Sequence, residues 1–469
     1  MGTTSGDLAG PEAEPVQGHA TPPAASARQV IVASLIGNVM EWYDFAVYGY
    51  FALAIGAAFF PADDPVSSTL AAFGVFAAGF LARPLGGALF GHVGDRLGRE
   101  RALTASVALM AVPTVLIGLL PTHAQIGAAA GASLVALRLM QGLAVGGEFT
   151  TSIVYVVEHA GAAHRGRHGS WMMVGATAGI LLGSAVGALM ANLMAAETLA
   201  AWGWRVPFLL GAVVGAIGFW LRGRLPEPPL AGPTPAAGHR RPPLLLALET
   251  EWRTILRVVV LCLPNGIGFY ILFVYVVSYL QSFVHVPSRE ALDINTVSMA
   301  GLMGFALAGG ALSDRFGRKP VAAAAMAGLL LLSWPLFGLL DHPRFAVLLP
   351  AQLCFAALIG LYVGQLPAML VEALPRGVRC TAISASYNLS VGLFGGLAPV
   401  VATWLIRRTG DEMIPAVMLT IVAALTLVAL RRTPETVGMQ LRCSEILLAG
   451  IGLGLPAWRW TSYPRSSAR

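Results

Sequence analysis

Glu41 and Asp44 stand three residues apart in a run that is otherwise apolar. At that spacing a helix puts both carboxylates on neighbouring parts of one face. A carboxylate in such a run is costly, so it must face a water-filled cavity or a cation. Burial also disfavours its charged form, which is what a group that takes up and releases protons needs. The pair therefore reads either as a proton site or as a helix–helix tie, and the spacing does not choose which of the two titrates. A second apolar run carries Arg138, Gln141 and Glu148, whose spacing leaves all three on one broad face. A guanidinium stays charged under ordinary conditions, so Arg138 is no proton shuttle. Its work is electrostatic: to attract a carboxylate, to hold Glu41, Asp44 or Glu148 ionised, or to bridge two helices. Gly146 and Gly147 beside Glu148 signal close helix packing as readily as a site. Arg83 either lines a cavity or snorkels to an interface. Later runs offer hydrogen bonds without charge, from Asn265, Tyr270, Tyr275, Gln365, Tyr387 and Asn388. Proton chemistry is therefore expected in the first half, with a solute shared between halves.

Two charged turns interrupt the apolar chain. Gly91-x3-Asp95-Arg96-x-Gly98-Arg99 recurs as Gly310-x3-Asp314-Arg315-x-Gly317-Arg318, 219 positions later (95 against 314). Glu158 and Arg165 likewise recur as Glu372 and Arg379, and Pro226-Glu227 as Pro434-Glu435. Three landmarks in the same order at half-chain spacing imply an internal duplication. Asp95 is placed to cap the next helix or meet a helix terminus, and Arg99 to bridge to Glu158. Asp314, Arg318, Glu372 and Arg379 form the equivalent set, with Arg165, Glu227 and Glu435 able to join. Such networks would latch one end of the molecule and break as it opens. Arginine-rich turns also follow from topology alone, but glycines and an aspartate at fixed spacing go beyond that.

The elements that must hold these groups follow from composition. The 469 residues are 56% hydrophobic and only 12% charged, about half the charge density of a soluble protein, and mean hydropathy is +0.71. So sparse a charge implies an all-α polytopic membrane protein. Counting about 20 apolar residues per crossing gives twelve transmembrane helices near 30–53, 68–91, 102–120, 127–157, 169–192, 204–222, 254–282, 295–313, 320–340, 345–371, 380–406 and 414–430. A Pro-rich break divides them six and six. The expected organisation is residues 1–27 disordered, 28–222 a six-helix bundle, 223–253 a linker, 254–432 a second bundle and 433–469 a tail. Arginines cluster on one side, so that side, the linker and both termini are expected in the cytoplasm. The net charge of +6 is spread over loops and gives no reason to expect nucleic acid. Four cysteines and nine histidines show no metal spacing. No glycine loop follows a strand as a nucleotide site would. We expect no enzyme activity, no cofactor and no metal, and an ion or solute gradient as the energy source.

These motifs resemble the major facilitator superfamily, whose signature is the Gly-x3-Asp-Arg-x-Gly-Arg loop. More narrowly, the chain is similar to the metabolite:proton symporter family, which carries osmolytes and organic acids. That likeness lies in Gly37-Asn38-Val39-Met40-Glu41-Trp42-Tyr43-Asp44-Phe45-Ala46-Val47-Tyr48-Gly49, in Arg83-Pro84-Leu85-Gly86-Gly87, in Gln141-Gly142 through Gly147-Glu148, and in Gly203-Trp204-Arg205-Val206-Pro207-Phe208. It spans roughly residues 28 to 436, and the tail after Thr436 departs from it. The resemblance implies the major facilitator fold of two six-helix bundles and a bacterial inner-membrane carrier working by alternating access. It implies import of a small carboxylate or zwitterionic osmolyte with protons. Glu41, Asp44 and Glu148 would couple the proton. Arg138, Gln141, Asn38, Tyr48, Tyr270, Gln365 and Asn388 would meet substrate. The partners expected are the substrate, protons and membrane lipid, with a single chain as the working unit. An exporter of the same superfamily, or a membrane sensor that does not transport, remains open at this point.

Overall fold

The computed structural model describes residues 27–86, 99–144, 148–222, 243–375, 378–439 and 441. Every regular element among the described residues is helical, as it must be for a chain whose backbone has no water to bond to in a bilayer. Twelve helical rods follow one another: α1 Ala27–Tyr50, α2 Pro65–Leu81, α3 Arg99–Leu119, α4 Ala128–Ala144 resuming as Glu148–His159, α5 Arg165–Leu193 and α6 Arg205–Arg222. Then come α7 Pro243–Leu263 continuing to Ser282, α8 Ser288–Phe316, α9 Arg318–Leu340, α10 Phe345–Ala373, α11 Arg379–Tyr387 continuing to Thr409, and α12 Ile414–Arg431. Eight of the helices searched are long and apolar enough to cross a membrane. At 29 residues α5, α8 and α10 are about 43 Å long, more than the roughly 30 Å hydrocarbon core requires. Their ends therefore project beyond it and carry the charged latches. Leucines and tryptophans such as Leu331, Trp334 and Leu425 stand exposed on the outside, where they face lipid rather than water.

The packing repeats with the sequence. Contacts of α1 with α5 and α6 recur as α7 with α11 and α12; α2 with α4 recurs as α8 with α10; α3 with α4 and α6 recurs as α9 with α10 and α12. Each pair returns six helices later, which is the duplication made visible as two bundles. The bundles meet where α5 runs along α8 and where α2 lies against α11. Ser184 and Thr296 hydroxyls bond at 2.8 Å across the first seam, and Asn295 donates to Ser184 at 3.1 Å. Of the expected linker 223–253, residues 223–242 lie outside the described residues, as do the first 26 residues and all beyond 441, whereas 243–253 are helical and begin α7.

Two helices are irregular at mid-depth. α7 passes through π-helical turns at Pro264–Gly268 and Ile271–Tyr275, and α11 through one at Asn388–Gly395. Pro264 has no N–H to give its preceding turn, and the backbone re-registers around it. Such wide turns concentrate at functional sites, and here they flank the same central space.

Candidate functional site

The two helix-one carboxylates part company. Glu41 pairs with Arg83 of α2 at 2.9 Å. The guanidinium is buried beneath the rings of Phe80, Trp42 and Phe45, 5.3–5.8 Å from their centroids. Arg83 thus turns inward rather than snorkelling. Asp44 is buried and takes a 2.5 Å hydrogen bond from the Thr114 hydroxyl of α3. Gln141 Nε2 donates to that hydroxyl at 2.7 Å, and Arg138 Nη1 donates to Gln141 Oε1 at 2.8 Å. Asp44 and Arg138 are therefore joined through two neutral groups. Arg138 is fully buried over Tyr48, Phe45 and Phe76 at 4.2, 4.9 and 5.7 Å, and its Nε and Nη2 have no partner.

Beside this network lies a cavity lined by Trp42, Thr177, Ile180, Asn265, Phe269, Tyr270 and Tyr387, among others. Both bundles contribute, and the π-turn of α7 supplies Asn265. Its space for water centres is about 20 Å³, room for one water. No lining residue carries a carboxylate, amine or guanidinium. Asn265 donates to Tyr387 Oη at 2.9 Å. The Trp42 indole N–H and the Tyr270 hydroxyl are buried without a partner, although buried donors are nearly always paired.

At the arginine-rich end the bundles are cross-latched. Arg318 grips Glu372 side-on, Nε to Oε2 at 3.3 Å and Nη2 to Oε1 at 3.2 Å, and Asp314 at 2.6 Å. Asp314 also accepts the Gly166 and Arg167 backbone N–H groups at 2.9 and 2.8 Å. It thus sits on the N-terminus of α5 in the other bundle, where the helix dipole favours an anion. Arg165 approaches Glu372 at 3.7 Å, and Arg379 reaches back to Glu158. The arginines of the two Glu-x6-Arg repeats, Arg165 and Arg379, therefore pair with the glutamate of the opposite half, while Arg318 holds Glu372 within its own. Gly310 is needed for close approach, since a Cβ there would lie 2.5 Å from Gly166 O. Gly317 turns with φ 102°, a conformation that favours glycine. Past α12, Thr436 donates to Glu372 at 2.6 Å, Glu435 accepts from the Arg318 and Lys319 N–H groups, and Met439 O accepts from Arg165.

The opposite end is held more lightly. Arg407 and Asp64 form an ion pair at 3.0 Å with both side chains nearly half exposed. The Val66 N–H, bonded to Asp64 at the start of α2, helps hold that carboxyl below the usual carboxylate range.

This arrangement can be set beside known proteins. The family model of the Major Facilitator Superfamily matches residues 30–385. The chain belongs to the major facilitator superfamily. A proline/betaine transporter of Salmonella typhimurium is 34% identical over 425 residues, covering 88% of this chain and 85% of its own length. A glycine betaine/proline/ectoine/pipecolic acid transporter of Dickeya dadantii is 33% identical over the same shares. Among solved structures, that of a D-xylose-proton symporter superposes with a TM-score of 0.69 at 20% identity, covering 89% of this chain and all of that one. An inward-open xylose transporter of E. coli superposes with a TM-score of 0.66 at 19% identity, over 88% of this chain and 98% of its own. The fold is thus the twelve-helix fold of a superfamily of multi-pass membrane transporters, which is no enzyme family.

Within that fold the expected site residues separate into three places. Asp44, Arg138 and Gln141 share one network, and Tyr48 props it, its ring under Arg138 and its hydroxyl on Ala72 O at 3.0 Å. Tyr270 alone of the expected substrate residues lines the cavity. Asn388 follows the lining residue Tyr387 in sequence and donates to Ser384 at 3.3 Å. Asn38 is buried with both amide atoms unpartnered and is not among the residues lining the cavity. Gln365 sits at the latch, where its amide bonds Arg318 O at 2.6 Å and Ala322 N at 2.8 Å. Glu158, Arg165, Asp314, Arg318, Glu372 and Arg379 all meet in the latch, with Glu158 paired to Arg379. Asp95 and the side chains of Arg99 and Glu148 lie outside the described residues. Sequence reasoning missed Thr114, Trp42, Thr177 and Phe269 as site residues, because each is ordinary in an apolar helix.

Proposed function

We propose that this chain imports a small, net-neutral zwitterion of the proline and betaine kind together with protons, by alternating access across a bacterial inner membrane. The observation that carries the substrate class is the wall that both bundles turn to the central cavity, which bears no charged side chain and must widen from its one-water volume to admit a solute. An organic anion placed there would find no charged side chain in the wall to pair with, in a poorly hydrated space. A zwitterion brings its own counter-charge. The unpartnered Trp42 N–H and Tyr270 O–H suit its carboxylate, and the rings of Trp42, Phe269, Tyr270 and Tyr387 suit a quaternary ammonium through cation–π attraction. Similarity to proteins named for proline and betaine transport supports the same choice.

Asp44 is the proton site, since Glu41 is already matched by Arg83. The arginine-rich end is cytoplasmic by the positive-inside rule, with both termini on that side. One chain supplies a whole cavity from its two halves, which favours a monomeric working unit in contact with lipid. Net uptake down an inward proton gradient separates this reading from an exporter, and counterflow of solute separates it from a sensor. In vesicles, uptake of labelled glycine betaine is competed by unlabelled glycine betaine and proline and not by succinate or citrate. Competition by the acids with none from the zwitterions would overturn the substrate class.

A further inference from the structure

We propose that the Thr114 hydroxyl is the positioning group that ties the protonation of Asp44 to Arg138, by reversing its hydrogen bond. The inference rests on the proton-coupled reading above. A hydroxyl has one proton to give and two lone pairs. Three neighbours claim them: Gln141 Nε2 at 2.7 Å, Asp44 Oδ2 at 2.5 Å and Met110 O at 2.9 Å. Gln141 Oε1 is taken by Arg138 Nη1 at 2.8 Å, so the amide must turn its N–H groups to Thr114. One lone pair is thereby used. A single proton and a single lone pair remain for Asp44 and Met110 O, and the Met110 carbonyl can only accept.

Two complete assignments exist. With Asp44 ionised, the Thr114 proton goes to the carboxylate, because a charge-assisted bond outweighs one to a neutral carbonyl. Every donor from Arg138 through Gln141 and Thr114 then points from the cation toward the anion, and such aligned chains polarise one another. With Asp44 protonated by water from the open side of the carrier, its own O–H donates to the free Thr114 lone pair. Thr114 keeps its proton and turns it to Met110 O. The chain from Arg138 now ends on a neutral pair, so its charge is no longer offset. The Phe76 ring touches both that guanidinium and the cavity wall, 5.7 Å from Arg138 and 5.8 Å from Tyr270 by ring centroid. Protonation of Asp44 thus makes the cavity more positive at the moment a substrate carboxylate must be held.

The other groups around Asp44 leave this role to Thr114. Tyr43 on the same helix gives its hydroxyl to Pro207 O at 2.6 Å. From α6, Gly211 offers no side chain, and a Cβ there would lie 3.3 Å from Asp44 Oδ1. Glu41 and Arg83, the charged groups of the neighbouring turn and of α2, bond each other at 2.9 Å.

The test reads Asp44 directly in the purified full-length chain without substrate, by the pH at which its carboxyl infrared band appears, assigned by its loss in Asp44→Asn. In Thr114→Val the band appears about one pH unit higher, since the carboxylate loses its hydroxyl donor. Thr114→Ser, which restores the hydroxyl, titrates with wild type. Gln141→Leu, which leaves Thr114 in place and cuts the link to Arg138, shifts the band in the same direction as Thr114→Val and serves if that variant does not fold. Folded Thr114→Val or Gln141→Leu protein titrating as wild type would overturn the inference, and so would a serine variant that titrates with valine. These outcomes do not depend on which solute is carried, so a failed transport assay leaves them readable.

Discussion

One helical turn separates Glu41 from Asp44, and that turn decides two different roles. Glu41 neutralises Arg83, whose guanidinium lies beneath Trp42, Phe45 and Phe80. Removing one partner of a buried pair leaves the other charge uncompensated, at a cost of about 3–5 kcal/mol. Glu41→Gln should therefore lower the melting temperature of the purified protein clearly, while Asp44→Asn, which copies the neutral carboxyl that the carrier itself passes through, should lower it less. Equal melting of Glu41→Gln and wild type would contradict the structural role of the pair. The sequence shows two carboxylates on one face and an arginine to balance them. It does not say which carboxylate the arginine takes, because partners on α2 and α3 are fixed by how the helices rotate against each other. Gln141 was placed correctly beside Arg138 by its three-residue spacing. Thr114 left no trace, since threonines in apolar helices commonly bond their own backbone, as this one also does to Met110 O at 2.9 Å.

Among the helices, the second charged turn and the two Glu-x6-Arg repeats join α4 and α5 of one bundle to α8, α10 and α11 of the other. Six of the residues expected there, Glu158, Arg165, Asp314, Arg318, Glu372 and Arg379, come together, and they were legible because Glu-x6-Arg and Asp-Arg-x-Gly-Arg recur at half-chain spacing. Their pairing was not. Spacing reveals a duplication, whereas the arginine of each Glu-x6-Arg repeat binds the glutamate of the other, a consequence of the two bundles facing each other. The π-turns of α7 and α11 were equally silent, since Pro264 predicts a break and not the widening that sets Asn265 into the cavity. Glu372 is the hub, touching Arg318, Arg165 and Thr436. Ser170 is buried on α5 near Gly310, so a Ser170→Cys reporter, in a background without the four native cysteines, reads opening of this end. Adding Glu372→Gln should raise its rate of thiol labelling at least about tenfold, since losing a buried pair exceeds the 1.4 kcal/mol that a factor of ten needs. Unchanged labelling would show that the latch does not hold the end shut.

At the scale of the whole molecule, a buried network closes the arginine-rich end and an exposed pair, Arg407 with Asp64, spans the other. Exposed pairs contribute about 0–1 kcal/mol, so the Arg407–Asp64 pair adds little to closure of its end beyond the packing of α2 on α11 and α5 on α8. Fold and family were legible from low charge, span lengths and the internal repeat, because a bilayer permits few architectures. The choice between a carboxylate and a zwitterion was not, because Arg138 could attract an anion, and sequence spacing does not show its guanidinium tied to Asp44 through Gln141 and Thr114. The central claim is that Asp44 couples a proton to the movement of a zwitterion. It is tested most directly in proteoliposomes by following labelled glycine betaine, first under an imposed inward proton gradient and then in exchange without one. Wild type should accumulate the solute above its equilibrium level under the gradient, whereas Asp44→Asn should exchange it across the membrane without accumulating it. An Asp44→Asn carrier that still concentrates glycine betaine like wild type would contradict the account.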